Sequence, residues 1–217
     1  MINATGLRWI LTVLFLLPAL YALWSAATRG RTPGNRVGHA LHAVMGLAMA
    51  AMAWPRGMEM PAAPQVVLFS VGALWFAGAA LAGSAGGSTR AASLLAALPH
   101  VVMMAAMAWM AGAMGGSAMA SGAGGMPQDM PGMDMSGTDA ISAMTLSQPA
   151  DQWLAALLAF VLLGLGLRWL AQAFDLGREA SASRPSGGAA LLGAEASEPA
   201  CHAAMAIGMG VMFALLV

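Results

Sequence analysis

Six stretches of about twenty apolar residues, separated by segments that hold most of the charge, constrain this chain more than any other feature. They run over about 7–27, 37–54, 65–83, 91–114, 151–174 and 198–217. A helix rising about 1.5 Å per residue needs roughly 20 residues to cross a bilayer core about 30 Å thick. It also satisfies its own backbone donors and acceptors, which lipid cannot do. Charged residues make up only 8% of the chain, against about a quarter in soluble domains. The expectation is an all-α membrane protein, with residues 1–217 forming a single transmembrane domain of six helices.

Arginine placement orients these spans. Arg29, Arg31 and Arg36 lie between the first and second, Arg90 between the third and fourth, and Arg178 and Arg184 between the fifth and sixth. Arg168 stands near the end of the fifth span that leads into the same segment, whereas the opposite side has only Arg8 and Arg56. The positive-inside bias predicts a multi-pass protein of the bacterial inner (plasma) membrane with both termini extracytoplasmic. Ser25-Ala26-Ala27 resembles a signal-peptide cleavage site, but the arginines that follow at once resist translocation, so the first span is read as a retained helix. The net charge is zero and lysine is absent, which points away from nucleic acid. A single cysteine, Cys201, excludes an intrachain disulfide framework and cysteine-paired zinc or iron–sulfur motifs.

The second, fourth and sixth spans share a pattern: a histidine followed by methionines at +3, +7 and +10. The ladders are His42-Met45-Met49-Met52, His100-Met103-Met107-Met110 and His202-Met205-Met209-Met212. At about 100° per residue, each set falls within an arc of roughly 80°, one stripe along a helix. The odd spans lack the pattern, so the chain reads as three pseudo-repeated helix pairs. With the arginine-derived orientation, the histidines lie towards the cytoplasm and the methionines climb outward over about 15 Å. Small residues such as Gly46, Ala106, Gly208 and Gly210 line the ladder helices and permit close approach in lipid.

Methionine alone is ordinary packing material, and a lone stripe of it is more often core than ligand. Three copies headed by histidine are a different matter. Leucine would pack as well, is plentiful here, and is nearly absent from these stripes. Histidine inside a membrane is costly and marks function or a buried hydrogen bond between helices. Thioether and imidazole donors together suit Cu(I), with Ag(I) as its surrogate. If the ladders share a register, they stack as one histidine level and three methionine levels.

Further donors extend the pattern. Met114 continues the second stripe, while His39 precedes His42 by one turn and Cys201 lies at the edge of the third stripe. Residues 115–150, predicted to be an external loop, contain Met126, Met130, Met133 and Met135 with Asp129 and Asp134, and no base. These methionines resemble the motifs of extracytoplasmic copper-handling proteins. Residues 175–197, rich in Ser, Gly and Ala, read as a flexible cytoplasmic linker.

The ladder helices, written around His-Ala-Val-Met-Gly-Leu-Ala-Met-Ala-Ala-Met (42–52), resemble those of an actinobacterial integral-membrane family known as a domain of unknown function. Their layered methionines are similar in logic to the Met triads of eukaryotic high-affinity copper transporters, an analogy of chemistry rather than of fold. Together these readings give a membrane Cu(I)-binding protein, not an enzyme, that transports copper or delivers it to a copper chaperone or cuproenzyme. Two alternatives stand beside it: a haem-binding redox protein with histidine ligands, and a structural protein with a Met-rich interior.

The predicted orientation is testable by labelling from outside the cell. A cysteine probe at Ser121 should react and one at Ser183 should not. The reverse pattern would overturn both the orientation and an external Met-rich segment.

Overall fold

A computed structural model describes residues 4–28, 32–54, 60–83, 89–123, 149–182 and 194–217. The regular structure among them is α-helical throughout. The helices are α1 (Ala4–Ala27), α2 (Pro33–Met52), α3 (Ala62–Gly83), α4 (Arg90–Ala123), α5 (Pro149–Ala182) and α6 (Ala194–Ala214). Four are long and apolar enough to cross a membrane: Gly6–Ala27, Ala62–Ala82, Arg90–Gly115 and Pro149–Glu179. The other two, α2 and α6, are the helices in which Arg36, His39 and His42, or Glu195, Glu198 and His202, dilute the apolar run.

Local chemistry explains where the helices start. Thr32 caps α2, its hydroxyl accepting from the Asn35 amide at 3.4 Å, and Pro33 takes the first turn, where its missing N–H costs nothing. Thr89 caps α4 in the same way, accepting from the Ala92 amide at 3.3 Å. Pro18, Pro99 and Pro199 all lie inside helices. Helix α4 begins at Arg90 and runs through Pro99 without a break.

Two predicted boundaries shift. The helix α4 continues to Ala123 and α5 begins at Pro149, so helix occupies both ends of the predicted 115–150 loop. Likewise α5 reaches Ala182 and α6 begins at Ala194, inside the predicted 175–197 linker. Alanine and methionine at 118–120 are good helix formers, and Asp175 and Arg178 form an i,i+3 ion pair of 2.6 Å on α5. The run Met126–Met135 lies outside the described residues.

The chain divides into two compact units: Met1–Met58 with Leu157–Ala214, and Glu59–Ala156 with Leu215–Val217. In the first unit, α1 packs against both α2 and α6. Arg36 Nε donates to Ala26 O at 2.9 Å near one end of the α1–α2 pair, and Trp54 Nε1 donates to Thr12 Oγ1 at 3.0 Å near the other. The pair is therefore antiparallel. Trp9 also meets Trp54 edge-on, with ring centroids 5.3 Å apart. On the α6 side, Ser197 Oγ donates to Tyr21 OH at 2.8 Å, and Phe15 lies against Gly208, so α1 and α6 are antiparallel too.

Glycines set how closely these helices meet. A Cβ on Gly46 would come within 2.9 Å of Ala19 Cβ and 3.0 Å of Phe15 O. On Gly208 it would come within 2.6 Å of the Phe15 ring, and on Gly210 within 2.7 Å of Leu163 on α5. Close approach of this kind is what holds helices together where lipid removes the hydrophobic incentive. In the second unit α3 packs against α4, antiparallel, with Val66 beside Gly112 and Phe76 beside His100.

Large apolar side chains on α1, α3 and α5 point outward. Trp9, Ile10, Leu17 and Trp24, then Val67 and Leu74, then Trp153 and Phe160 are all exposed. Faces of this size and apolarity suit contact with a lipid bilayer rather than water.

Replacing Gly46 with Ala should destabilise the α1–α2 contact, because the new methyl meets a backbone oxygen that cannot swing aside. A loss of about 1–3 kcal/mol is the usual scale of overpacking. Gly164→Ala, where nothing lies within 4 Å, should be neutral or slightly stabilising. Thermal unfolding in detergent separates the two, and equal midpoints would show that Gly46 does not set the approach.

Candidate metal centre

The stripes predicted from sequence are buried. Met45, Met49 and Met52 on α2, Met103, Met107 and Met110 on α4, and Met205 and Met209 on α6 are each no more than 6% exposed. Only Met212, near the end of α6, is half-buried. The helix faces opposite the stripes behave differently, with Val44 and Leu47 on α2 exposed. Each stripe is thus the inward face of its helix.

Contacts on α6 show how its stripe is framed. Gly208 faces Phe15 of α1, and Gly210 faces Leu163 and Ala159 of α5. By helical angle these glycines lie about 100° to either side of Met209. The packed faces therefore flank the stripe without covering it with their own backbone. On α2, Gly46 lies about 60° from Met49, so α1 likewise bounds that stripe on one side.

Within the first unit the structure sets the register that sequence left open. Because α2 and α6 both run antiparallel to α1, they run parallel to each other. His42 and His202 meet edge-on, with ring centroids 4.9 Å apart and planes at 65°. A ring nitrogen of His42 and one of His202 lie within 4.8 Å of each other. Equal spacing within the two ladders then places Met45 with Met205 and Met49 with Met209 at successive heights.

His42 is 3% exposed. Its Nδ1 lies 2.8 Å from Gly38 O, one turn back on the same helix. A carbonyl can only accept, so Nδ1 carries the proton and the lone pair of the neutral ring is on Nε2. An imidazole held through one nitrogen by a backbone carbonyl is the usual condition of a metal-ligating histidine, because that bond fixes tautomer and ring orientation. His202 is half-buried and lies against Trp169 of α5, with centroids 5.2 Å apart.

In the second unit His100 is half-buried and stacks on Phe76 at 5.3 Å. By the apolar runs alone, with starts near 91 and 198, His100 lies nine residues into its span and His202 only four. The structure narrows this difference, since His42, His100 and His202 fall nine, ten and eight residues after Pro33, Arg90 and Ala194. The extra turn at the start of α6 accounts for the change.

The accessory residues are less uniform. His39 is 9% exposed, Cys201 is half-buried with a free thiol, and Met114 is half-buried. Met126, Met130, Met133 and Met135 lie outside the described residues. Sequence reasoning missed Met104, which is fully buried off the stripe, and the aromatic neighbours Phe76 and Trp169. Nothing in the spacing of a single helix marks an aromatic on the preceding one.

No solved structure matches the chain. Two relatives are the uncharacterized protein Rv0970 of Mycobacterium tuberculosis and the uncharacterized protein Mb0995 of Mycobacterium bovis. Each is 38% identical over 114 residues, which is 52% of this chain and 52% of the relative. The match thus spans about half the length of these curated relatives. A family model covers far more: the domain of unknown function DUF5134 matches residues 34–216, from the start of α2 to the end of α6 and through all three ladders. The chain belongs to that family.

Proposed function

We propose that this protein is a six-span protein of the bacterial plasma membrane that binds Cu(I) on its three His/Met stripes and transports it or passes it on. The observation that carries the reading is the burial of the ladders. Eight of the nine ladder methionines are buried, whereas many large apolar residues of the odd helices, Leu17, Leu74 and Phe160 among them, face outward. Packing alone would be served by leucine in either place.

The donor chemistry narrows the ion. A buried site built from neutral thioethers and imidazoles has no anionic ligand to balance a divalent charge. Cu(I) is soft, carries one charge and accepts few ligands, so it suits this set. Zn(II) favours thiolate, imidazole and carboxylate, and Mg(II) favours oxygen. Thioethers also bind Cu(I) weakly enough to exchange, which a path needs and a store does not.

In this reading α2 and α6 cross the membrane along with the four more apolar helices. The polar residues that dilute them are the ones that hold metal or stand at the cytoplasmic end. Both termini face outward. Copper enters from the side of Met52, Met110 and Met212 and moves towards the histidines by ligand exchange. His39 and Cys201 receive it there, for a chaperone or cuproenzyme to collect. No nucleotide-binding motif appears in the sequence, so the driving force is a gradient or a downstream sink. The edge contact between His42 and His202 leaves no plane for a porphyrin between those two rings, which supports copper over haem.

Changing Met49, Met107 and Met209 together to leucine tests the reading, because the swap nearly conserves volume and apolarity. The triple variant should fold but bind Cu(I) or Ag(I) more weakly, or with lower stoichiometry, in competition with a chelator. Wild-type protein should show little affinity for Zn(II). Unchanged Cu(I) binding by the folded triple variant would make the stripes packing and nothing more.

A further inference from the structure

Within the first unit, one serine hydroxyl on α1 is buried to no evident purpose. Ser25 is 1% exposed, and its Oγ has no hydrogen-bond partner. A helical serine can bond the carbonyl one turn back, and a buried hydroxyl left unbonded costs stability. The contacts between α1 and α6 show where it stands. Leu14 and Phe15 lie against Gly208, and Ser197 Oγ donates to Tyr21 OH at 2.8 Å. By helical angle Ser25 lies within about 40° of both Leu14 and Tyr21, so it belongs to the side of α1 that faces α6. The two helices are antiparallel, so about ten residues on from Phe15 along α1 is level with ten residues back from Gly208 along α6. That count leads to Ser25 and to Glu198, which puts Ser25 within one residue of Ser197 in height.

Pro199 stands inside α6 between Ser197 and Cys201. Proline has no N–H, so the carbonyl of Glu195 loses its helical partner and the first turns of α6 join the rest by one bond fewer. Helices bend at such points. Residues 194–198 therefore make a short arm hinged at Pro199, and the bond from Ser197 to Tyr21 ties that arm to α1. Cys201, the single cysteine of the chain, lies one turn beyond Ser197 on the same face of α6 and is half-buried.

We propose that Ser197 is a two-position latch, bonded to Tyr21 in one state and to Ser25 in a second, in which the arm has bent at Pro199 and uncovered Cys201. Tyr21 and Ser25 are one turn apart on α1, the step by which packed elements move between discrete positions. Exchanging one hydroxyl partner for another costs little, so both states are populated. The second state gives Ser25 the partner it lacks in the first, and explains why a buried hydroxyl stands where alanine would pack. The latch deepens the Cu(I) reading by giving the cytoplasmic end a gate. It rests on that reading only for the identity of what leaves when the gate opens.

The experiment follows alkylation of Cys201 by a maleimide in the metal-free full chain in detergent, at one fixed pH, with thermal unfolding measured beside it. Tyr21→Phe removes the first partner but keeps the ring, so Cys201 should react about three- to tenfold faster. Ser25→Ala removes the second partner and should slow the reaction by a similar factor. Its thermal midpoint should equal or exceed that of the wild type, because the lost hydroxyl makes no bond in the latched state. In a Ser197→Ala background neither change should have a further effect, since both act through Ser197. Release of bound Cu(I) to a soluble chelator should follow the same order, fastest from Tyr21→Phe and slowest from Ser25→Ala. Equal Cys201 reactivity in all three proteins, or shifts in one direction, would overturn the latch. A lower midpoint for Ser25→Ala would do the same, by showing its hydroxyl already bonded. Opposite shifts in a protein that binds neither Cu(I) nor Ag(I) would leave the latch standing and sink the Cu(I) reading. Metal binding with unshifted Cys201 reactivity would sink the latch and leave that reading intact.

Discussion

The first unit is organised by one side chain seated among helices that have given up their own. Phe15 is fully buried on α1, and its ring lies where a side chain on Gly208 would have to be. Its carbonyl, with Ala19 beside it, lies where a side chain on Gly46 would be. A single helix thereby meets two ladder helices at contact distance and makes them parallel to each other. In lipid no hydrophobic force draws helices together, so dispersion across such close approaches has to do it. The pairing of His42 with His202 follows from this arrangement rather than from any attraction between two imidazoles.

The histidines add a second constraint. A polar ring buried among apolar helices costs free energy unless its nitrogens are used. His42 meets part of that cost through a carbonyl one turn back, while His100 and His202 are half-buried with Phe76 and Trp169 beside them. Below them run columns of methionine, whose flexible thioethers tolerate many packings.

Much of the fold was legible in the chain. Six apolar runs gave six helices, four of them long and apolar enough to cross a membrane, because a helix bonds its own backbone within itself. The stripes were legible for a related reason: helical period alone assigns His42, Met45, Met49 and Met52 to one face. That the face turns inward is expected where the opposite one carries Val44 and Leu47. Helix ends were read less well. The segments after 114 and after 174 look like loops by hydropathy, yet alanine-rich helix continues there to Ala123 and Ala182. Hydropathy marks where a helix can be in lipid, whereas the backbone stays helical wherever propensity allows it.

The sequence by itself determined the helical class, the six elements and the membership of each stripe. All of these depend on residue type and on spacings within one helix. Only the tertiary structure decided which ladders share a register, which glycines are contact points, and which aromatics lie beside the histidines. Those depend on pairs such as Phe15 with Gly208, or Trp169 with His202, that lie far apart in the chain. No local period encodes such a pair, because the partner's position is set by how two helices pack and not by either helix alone.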